Sequence, residues 1–338
     1  MKKVIKKIIS LFKIILLTLT FLIIVLVFCS KITYKPITYL TNKLFDSSKK
    51  EVAYPRIENF DELLFKVEVN RDLEYKSEYE NNKLDLIIPK NKDDIPVIFW
   101  IHGGAYVGGD KRDTLDYLIS IASYGYAIVN INYELAPKTT YPTPIKQISE
   151  AFKFIESIAP NYNIDLNNIF IGGDSVGAQI AGQFTNIQMN KEYSNKVNID
   201  PCIKSENIRG FISFSGLLNL KEFNKTDSKL SNKLFYHAAW AYFKDKDWEN
   251  NPLVKEASIT GNIEEFPPTF LTDGNINSFE NQAKDLYSEL KNLNIPVKIN
   301  VYEKDKVKLG HEYQFNMDLI EARENFDMVI EFLNEYKD

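Results

Sequence analysis

From about residue 80 onward, short apolar runs alternate with stretches whose apolar residues recur every three or four positions. The runs at 97–101, 126–132, 168–172, 209–215, 268–272 and 297–302 have strand length and are bounded by turn residues. Between or after them, helical spacing appears near 114–124, 145–158, 280–293 and 318–336, and again directly after Ser175. Upstream, 62–69 and 83–89 read as an antiparallel pair leading into the sheet. Alternating strands and helices predict an α/β fold: a mainly parallel central sheet with helices on both faces. Loops converge at the carboxyl ends of such strands, so a site is expected there. The segment at about 219–262 breaks the alternation as an aromatic-rich insertion carrying Phe235, Tyr236, His237, Trp240, Tyr242, Phe243 and Trp248.

The amino-terminal pattern differs. Lys2, Lys3, Lys6, Lys7 and Lys13 precede a nearly pure apolar stretch from Ile14 to Cys29. As a helix that stretch spans ~24 Å, and ~33 Å if it reaches back to Ile8 with Lys13 snorkelling. It has no polar face, so it does not read as a helix of the soluble domain. Two readings fit: an uncleaved membrane anchor and a signal peptide. The region Val27-Phe28-Cys29-Ser30-Lys31 is a poor cleavage site, so a single-pass anchor is expected, with secretion after cleavage as the alternative. Lysines crowd the near flank, which favours a cytoplasmic amino terminus and an extracytoplasmic domain. The expected organisation is an anchor at 1–30, a linker or amphipathic stalk at 31–55, and a catalytic domain at 56–338.

Composition narrows the classes. The hydrophobic share of 44% and charged share of 26% fit a globular chain, and a net charge of −5 argues against nucleic acid as a partner. The two cysteines, Cys29 and Cys202, are far apart, and no disulfide is expected.

The candidate chemistry sits at strand ends. Gly173-Asp174-Ser175-Val176-Gly177 follows the apolar run Ile169-Phe170-Ile171. It reads as strand, sharp turn and helix, with Ser175 raised at the apex and small residues where strand and helix pass closely. The N–H of Val176 can then face an oxyanion. Upstream, His102-Gly103-Gly104-Ala105-Tyr106 follows the run 97–101. There Gly103 and Gly104 can turn their N–H groups inward as the second half of an oxyanion hole. The chain has three histidines, His102, His237 and His311. His102 belongs to the glycine turn. His237 lies in an aromatic helical segment, as packing or pocket lining. His311, in a loop after the last strand, is where a serine nucleophile needs its base. Tyr106, His237 and Trp240 are the candidates for substrate contact. No metal and no organic cofactor are implied.

These motifs resemble the α/β-hydrolases, in the branch of hormone-sensitive-lipase-like esterases, acetyl esterases and kynurenine-formamidase-like enzymes. The resemblance rests on His102-Gly103-Gly104-Ala105, Asn132-Tyr133-Glu134-Leu135-Ala136-Pro137, Tyr141-Pro142, Gly173-Asp174-Ser175-Val176-Gly177 and Gly310-His311, and covers about 80–338. It implies an α/β-hydrolase fold with a helical lid at 219–262, and a carboxylic ester hydrolase acting on a small-molecule ester of a short acyl or acetyl group. The family's acid falls near Asn277, which cannot serve. Asp273, at the strand end, is the expected acid. Glu280 is the alternative, with a ready reading as a helix N-terminal charge, and an absent acid is the third. An amidase or formamidase on the same triad remains open, as does a non-catalytic binding protein on this fold. Oligomeric state is not indicated.

Overall fold

The computed structural model describes residues 2–45 and 54–337. The chain opens with helix α1 (Lys2–Ile32), bends, and continues as α2 (Lys35–Leu44). A short helix, α3 (Phe60–Phe65), precedes β1 (Val67–Glu74) and β2 (Lys83–Pro89). Then follow β3 (Ile95–Ile101), α4 (Leu115–Ala122), β4 (Ala127–Ile131), α5 (Thr143–Ile158), β5 (Ile164–Asp174), α6 (Val176–Met189), α7 (Lys191–Val197) and β6 (Ile208–Phe214). The insertion holds α8 (Lys229–Phe243) and α9 (Pro252–Ala257). The chain closes with β7 (Thr269–Thr272), α10 (Glu280–Asn292), β8 (Val297–Asn300) and α11 (Ile320–Tyr336).

The eight strands form one sheet in the order β1-β2-β4-β3-β5-β6-β7-β8. The β1–β2 and β2–β4 pairs are antiparallel, and every later pair is parallel. The central strands are apolar on both faces because helices cover both. Along β3 the alternation of side chains splits the core in two. Val97, Phe99 and Ile101 point into one layer with Ile145, Ile148, Phe152, Ile180 and Phe184 of α5 and α6. Ile98 and Trp100 point into the other with Leu118 of α4 and Phe326, Val329 and Leu333 of α11.

Two expectations need correction. The stretch 62–69 is not one strand, because Phe60–Phe65 is helical and β1 starts at Val67. Asp61 and Glu62 lie in the first turn of α3, where negative charge suits a helix start, while Phe60 and Leu63 are buried. For 31–55, the alternatives are a linker and an amphipathic stalk, and the described part is not a free linker. Its first part is α2, which packs on α8 and buries Ile37, Thr38 and Thr41. Residues 46–53 lie outside the described residues.

One charge cluster, buried at Lys111 and Asp85 and open at Asp72, fixes the loop after β3. The Lys111 ammonium lies 2.5 Å from Asp85 of β2 and 2.9 Å from Asp72 of β1. The Lys111 N–H donates to Asn132, and Asn130 of β4 donates to the Lys111 carbonyl. The glycine loop is therefore held from both sides, by β3 and by the antiparallel strands.

Candidate active site

Ser175 occupies the junction of β5 and α6 with φ +52° and ψ −121°, outside the conformations an ordinary side chain favours. Two bonds to neighbouring segments hold it there. Its N–H donates to the Phe214 carbonyl at 2.8 Å, and its carbonyl accepts from Leu217 N–H at 3.1 Å. The turn closes only because residue 177 is glycine: a Cβ there would run into the Ile101 and His102 carbonyls.

His311 comes from the loop after β8. Its Nε2 lies 3.0 Å from Ser175 Oγ, and its Nδ1 lies 2.7 Å from Ser278 Oγ. Ser278 in turn donates to Asp273 Oδ1. One proton arrangement satisfies the whole chain. Nδ1–H donates to Ser278, whose O–H donates to Asp273, leaving the Nε2 lone pair to accept from Ser175. Asp273 thus reaches His311 through a hydroxyl, not directly. The sequence carries no motif that marks Ser278, which lies beside the unsuitable Asn277. Asn277 and Glu280 line a separate surface depression, where Glu280 pairs with Lys284 at 2.6 Å.

The glycine loop departs from expectation at one position. The Gly103 N–H donates to Asp174 Oδ2 at 2.7 Å, and Trp100 Nε1 donates to Asp174 Oδ1 at 2.9 Å. Gly103 is therefore committed to bracing the loop and cannot also serve an oxyanion. Gly104 and Ala105 line the cavity beside Ser175. Their N–H groups and that of Val176 have no hydrogen-bond partner among the described residues. They are the donors that can meet an oxyanion. His102 is buried, with its ring stacked on Tyr133 at 4.6 Å and its carbonyl bonded by the Tyr133 hydroxyl at 2.9 Å.

The three residues expected to touch substrate lie elsewhere. Tyr106 is buried, stacks on Tyr242 at 3.9 Å, and donates to Gln179 at 2.7 Å. His237 Nε2 meets the Ser30 carbonyl at 2.9 Å, and Trp240 packs edge-on against Tyr34 at 5.6 Å. Those two hold the amino-terminal helices. The cavity over Ser175, of about 140 Å³, is lined instead by Leu44, Phe45, Tyr54, Phe235, Phe315 and Glu312. Half of these come from segments without any motif.

Electrostatics favour a neutral base. Burial lowers the His311 pKa below the usual histidine value, while the Glu312 carboxylate, 3.6 Å from Nε2, opposes that shift. Burial pushes Asp273 up to about 7, against the hydrogen bond from Ser278. Tyr54 keeps its proton, because Glu312 and burial raise its pKa, and donates to Glu312 at 2.9 Å. Burial and the charge of Glu312 also raise Asp174, opposed by its bonds from Trp100 and Gly103.

Sheet order, nucleophile turn and histidine loop together define an α/β-hydrolase. Residues 84–290 match the family model BD-FAE, and the chain belongs to that family. It is similar to the α/β hydrolase R526 of Acanthamoeba polyphaga mimivirus, 27% identical over 226 residues, covering 65% of this chain and 62% of the relative. It is also similar to the versiconal hemiacetal acetate esterase of Dothistroma septosporum, 24% identical over 229 residues, covering 62% of this chain and 64% of the relative. The chain thus spans less than two thirds of the length of these curated relatives. Esterase B of Lactobacillus rhamnosis shares the fold with a TM-score of 0.70 at 19% identity, over 84% of this chain and 89% of its own.

Two outcomes test the hydrogen-bonded chain, both read as the rate at which a fluorophosphonate labels Ser175. Ser278→Ala should slow labelling by roughly two to four orders of magnitude, the scale set by loss of histidine support, and Ser278→Thr should restore most of it. A merely structural role for Ser278 would lower the folded fraction and not the rate per folded molecule. The pH profile should rise in two steps. The lower step, below 6.5, is deprotonation of His311. The upper, at about 7, is ionisation of Asp273, which supplies the charge that stabilises the imidazolium. Asp273→Asn should abolish the upper step. Glu312→Gln should move the lower step to still lower pH, because a nearby negative charge favours protonated histidine.

Proposed function

We propose that this protein is a membrane-anchored serine hydrolase of carboxylic esters, acting on short acyl groups through an acyl-enzyme. The observation that carries the reading is the continuous hydrogen-bonded chain from Ser175 through His311 and Ser278 to Asp273. Ser175 Oγ attacks the ester carbonyl while His311 Nε2 takes its proton. The tetrahedral oxyanion is held by the N–H groups of Gly104, Ala105 and Val176. His311 then returns the proton to the departing alcohol oxygen, and water repeats the cycle on the acyl-enzyme. Ser278 and Asp273 act through His311, fixing its tautomer. The cavity of about 140 Å³ supports a short acyl group, being well below the few hundred Å³ of pockets that enclose drug-sized ligands.

The anchor belongs to the same reading. Residues Lys3–Ile32 form a helix of mean hydropathy 2.9 in its most apolar window, none of it buried in the protein. Docking at its end supports retention over cleavage. The Ser30 carbonyl meets His237, and the Lys31 carbonyl accepts from Lys246 Nζ at 2.7 Å. Cleavage near residue 30 would remove partners that the folded domain uses. The lysine-rich near flank sets the amino terminus in the cytoplasm and the domain outside.

Ser175→Ala should lower hydrolysis of p-nitrophenyl acetate by several orders of magnitude with an unchanged circular dichroism spectrum. Near-normal turnover would remove the mechanism. The full-length chain should remain with membranes through carbonate extraction and keep its amino-terminal residues by mass spectrometry. A mature product starting after about residue 30 would replace the anchor with a signal peptide.

A further inference from the structure

The segment that leaves the anchor also forms the lip of the catalytic cavity. At its start, four contacts fix α1 and the bend after it to the lid. His237 meets the Ser30 carbonyl, Lys246 Nζ donates to the Lys31 carbonyl, Tyr34 packs on Trp240, and Lys244 Nζ donates to the Tyr34 hydroxyl at 2.9 Å. At its far end, α2 is fixed to the glycine loop. Asn42 Nδ2 donates to the Val107 carbonyl at 2.8 Å, and Phe45 lies so close to Gly108 that a Cβ there would approach Phe45 Cβ to 2.8 Å. Leu44 and Phe45 line the cavity over Ser175. The rise of α2 is only ~15 Å. The lip therefore lies on the order of 15 Å from the point where α1 ends.

The surface along this path suits a lipid boundary. Phe28 and Ile32 near the end of α1, and Tyr39, Leu40 and Leu44 of α2, are all exposed. Leu40 and Leu44 are four apart and share one helix face that runs to the cavity. Lys31, Lys35, Lys244 and Lys246 lie around the junction of α1 and α2. Lysines placed where an apolar helix ends meet lipid phosphates while their stems cover apolar surface.

We propose that the mouth of the cavity faces the bilayer from which α1 emerges, and that the protein removes short acyl groups from the polar heads of membrane amphiphiles. This rests on the anchored ester-hydrolase reading above. The short acyl group enters the cavity, while the apolar tail of the leaving alcohol stays in the membrane. The Ser175 Oγ–acyl bond forms as the acyl–alkoxy bond breaks, and the alcohol keeps the proton delivered by His311. Water then releases the carboxylic acid. The overall change is one ester and one water to one acid and one alcohol.

The test uses the full-length protein in phosphatidylcholine vesicles and two acetate esters that differ only in the alcohol. One is soluble 4-methylumbelliferyl acetate. The other is 1,2-dipalmitoyl-3-acetylglycerol embedded in the vesicles. A twenty-residue Gly-Ser insertion between Phe28 and Cys29 leaves the four contacts to the lid, α2 and the cavity intact, because Ser30 and Lys31 stay with the domain, but lets the domain wander ~25 Å from the apolar part of α1. The expected result is at least a tenfold loss of acetate release from the embedded ester, with turnover of the soluble ester unchanged within twofold. Equal cleavage of the embedded ester by both proteins would overturn the proposal. So would a parallel fall on both substrates, or an uninserted protein that cleaves only the soluble ester. An uninserted protein that cleaves neither ester and is not labelled at Ser175 would remove the hydrolase reading itself.

Discussion

Three segments can meet at one serine only if β3, β5 and the start of α6 pass closer than side chains allow, and this close passage organises the molecule. Gly177 lies against the carbonyls of Ile101 and His102, so the end of β3 is pressed to the start of α6. Asp174, the residue before the nucleophile, then reaches sideways to Trp100 and Gly103. One carboxylate thereby locks the glycine loop to the nucleophile turn. Ser175 is also tied through its own backbone to Phe214 and Leu217, which brings in the end of β6. The strained serine persists because neighbours on both sides over-determine it.

The fold was legible because period-two and period-3.6 patterns are strong where the chain is buried. The strand and helix runs from 97 to 336 lie within a few residues of the observed elements. Failures came where local pattern competed with context. Leu63, Leu64 and Phe65 look like strand, yet an acidic first turn and a two-residue buried face make α3. The segment carrying α2 reads as a linker or an amphipathic stalk, and the sequence does not show that its buried face, Ile37, Thr38 and Thr41, packs on the protein. Two of those three are threonines, and hydropathy alone cannot show that they are inside.

At the site, residues carrying a backbone signature were easier to find than those defined by contact alone. Ser175 and His311 announce themselves through the glycine turn and the loop after the last strand. Ser278 does not, because a hydroxyl that bridges a histidine and a carboxylate needs no particular neighbour in sequence. Gly103 shows the opposite error. Glycine leaves its N–H free to turn, and the acceptor that N–H meets is Asp174. His237 and Trp240 read as substrate contacts because aromatic insertions often overhang a site, and Tyr106 reads so beside the glycine turn. Here their rings pack on Tyr242 and on the amino-terminal helices, a partner that local sequence cannot reveal.

The attachment of α8 to both amino-terminal helices has a consequence for molecular traffic. A lid fastened at one end only can swing, admit a bulky molecule and shut behind it. Here the insertion holds the end of α1 through His237 of α8 and Lys246 just after it, while α2 holds the glycine loop through Asn42. The roof is fastened at both ends. Leu44 and Phe45 at the end of α2 and Phe235 of α8 all line the cavity, so the two fastened elements both contribute to its wall. A roof tied at two points would have to break those bonds to swing, so a bulky molecule would meet a cost at entry that a singly hinged lid does not impose.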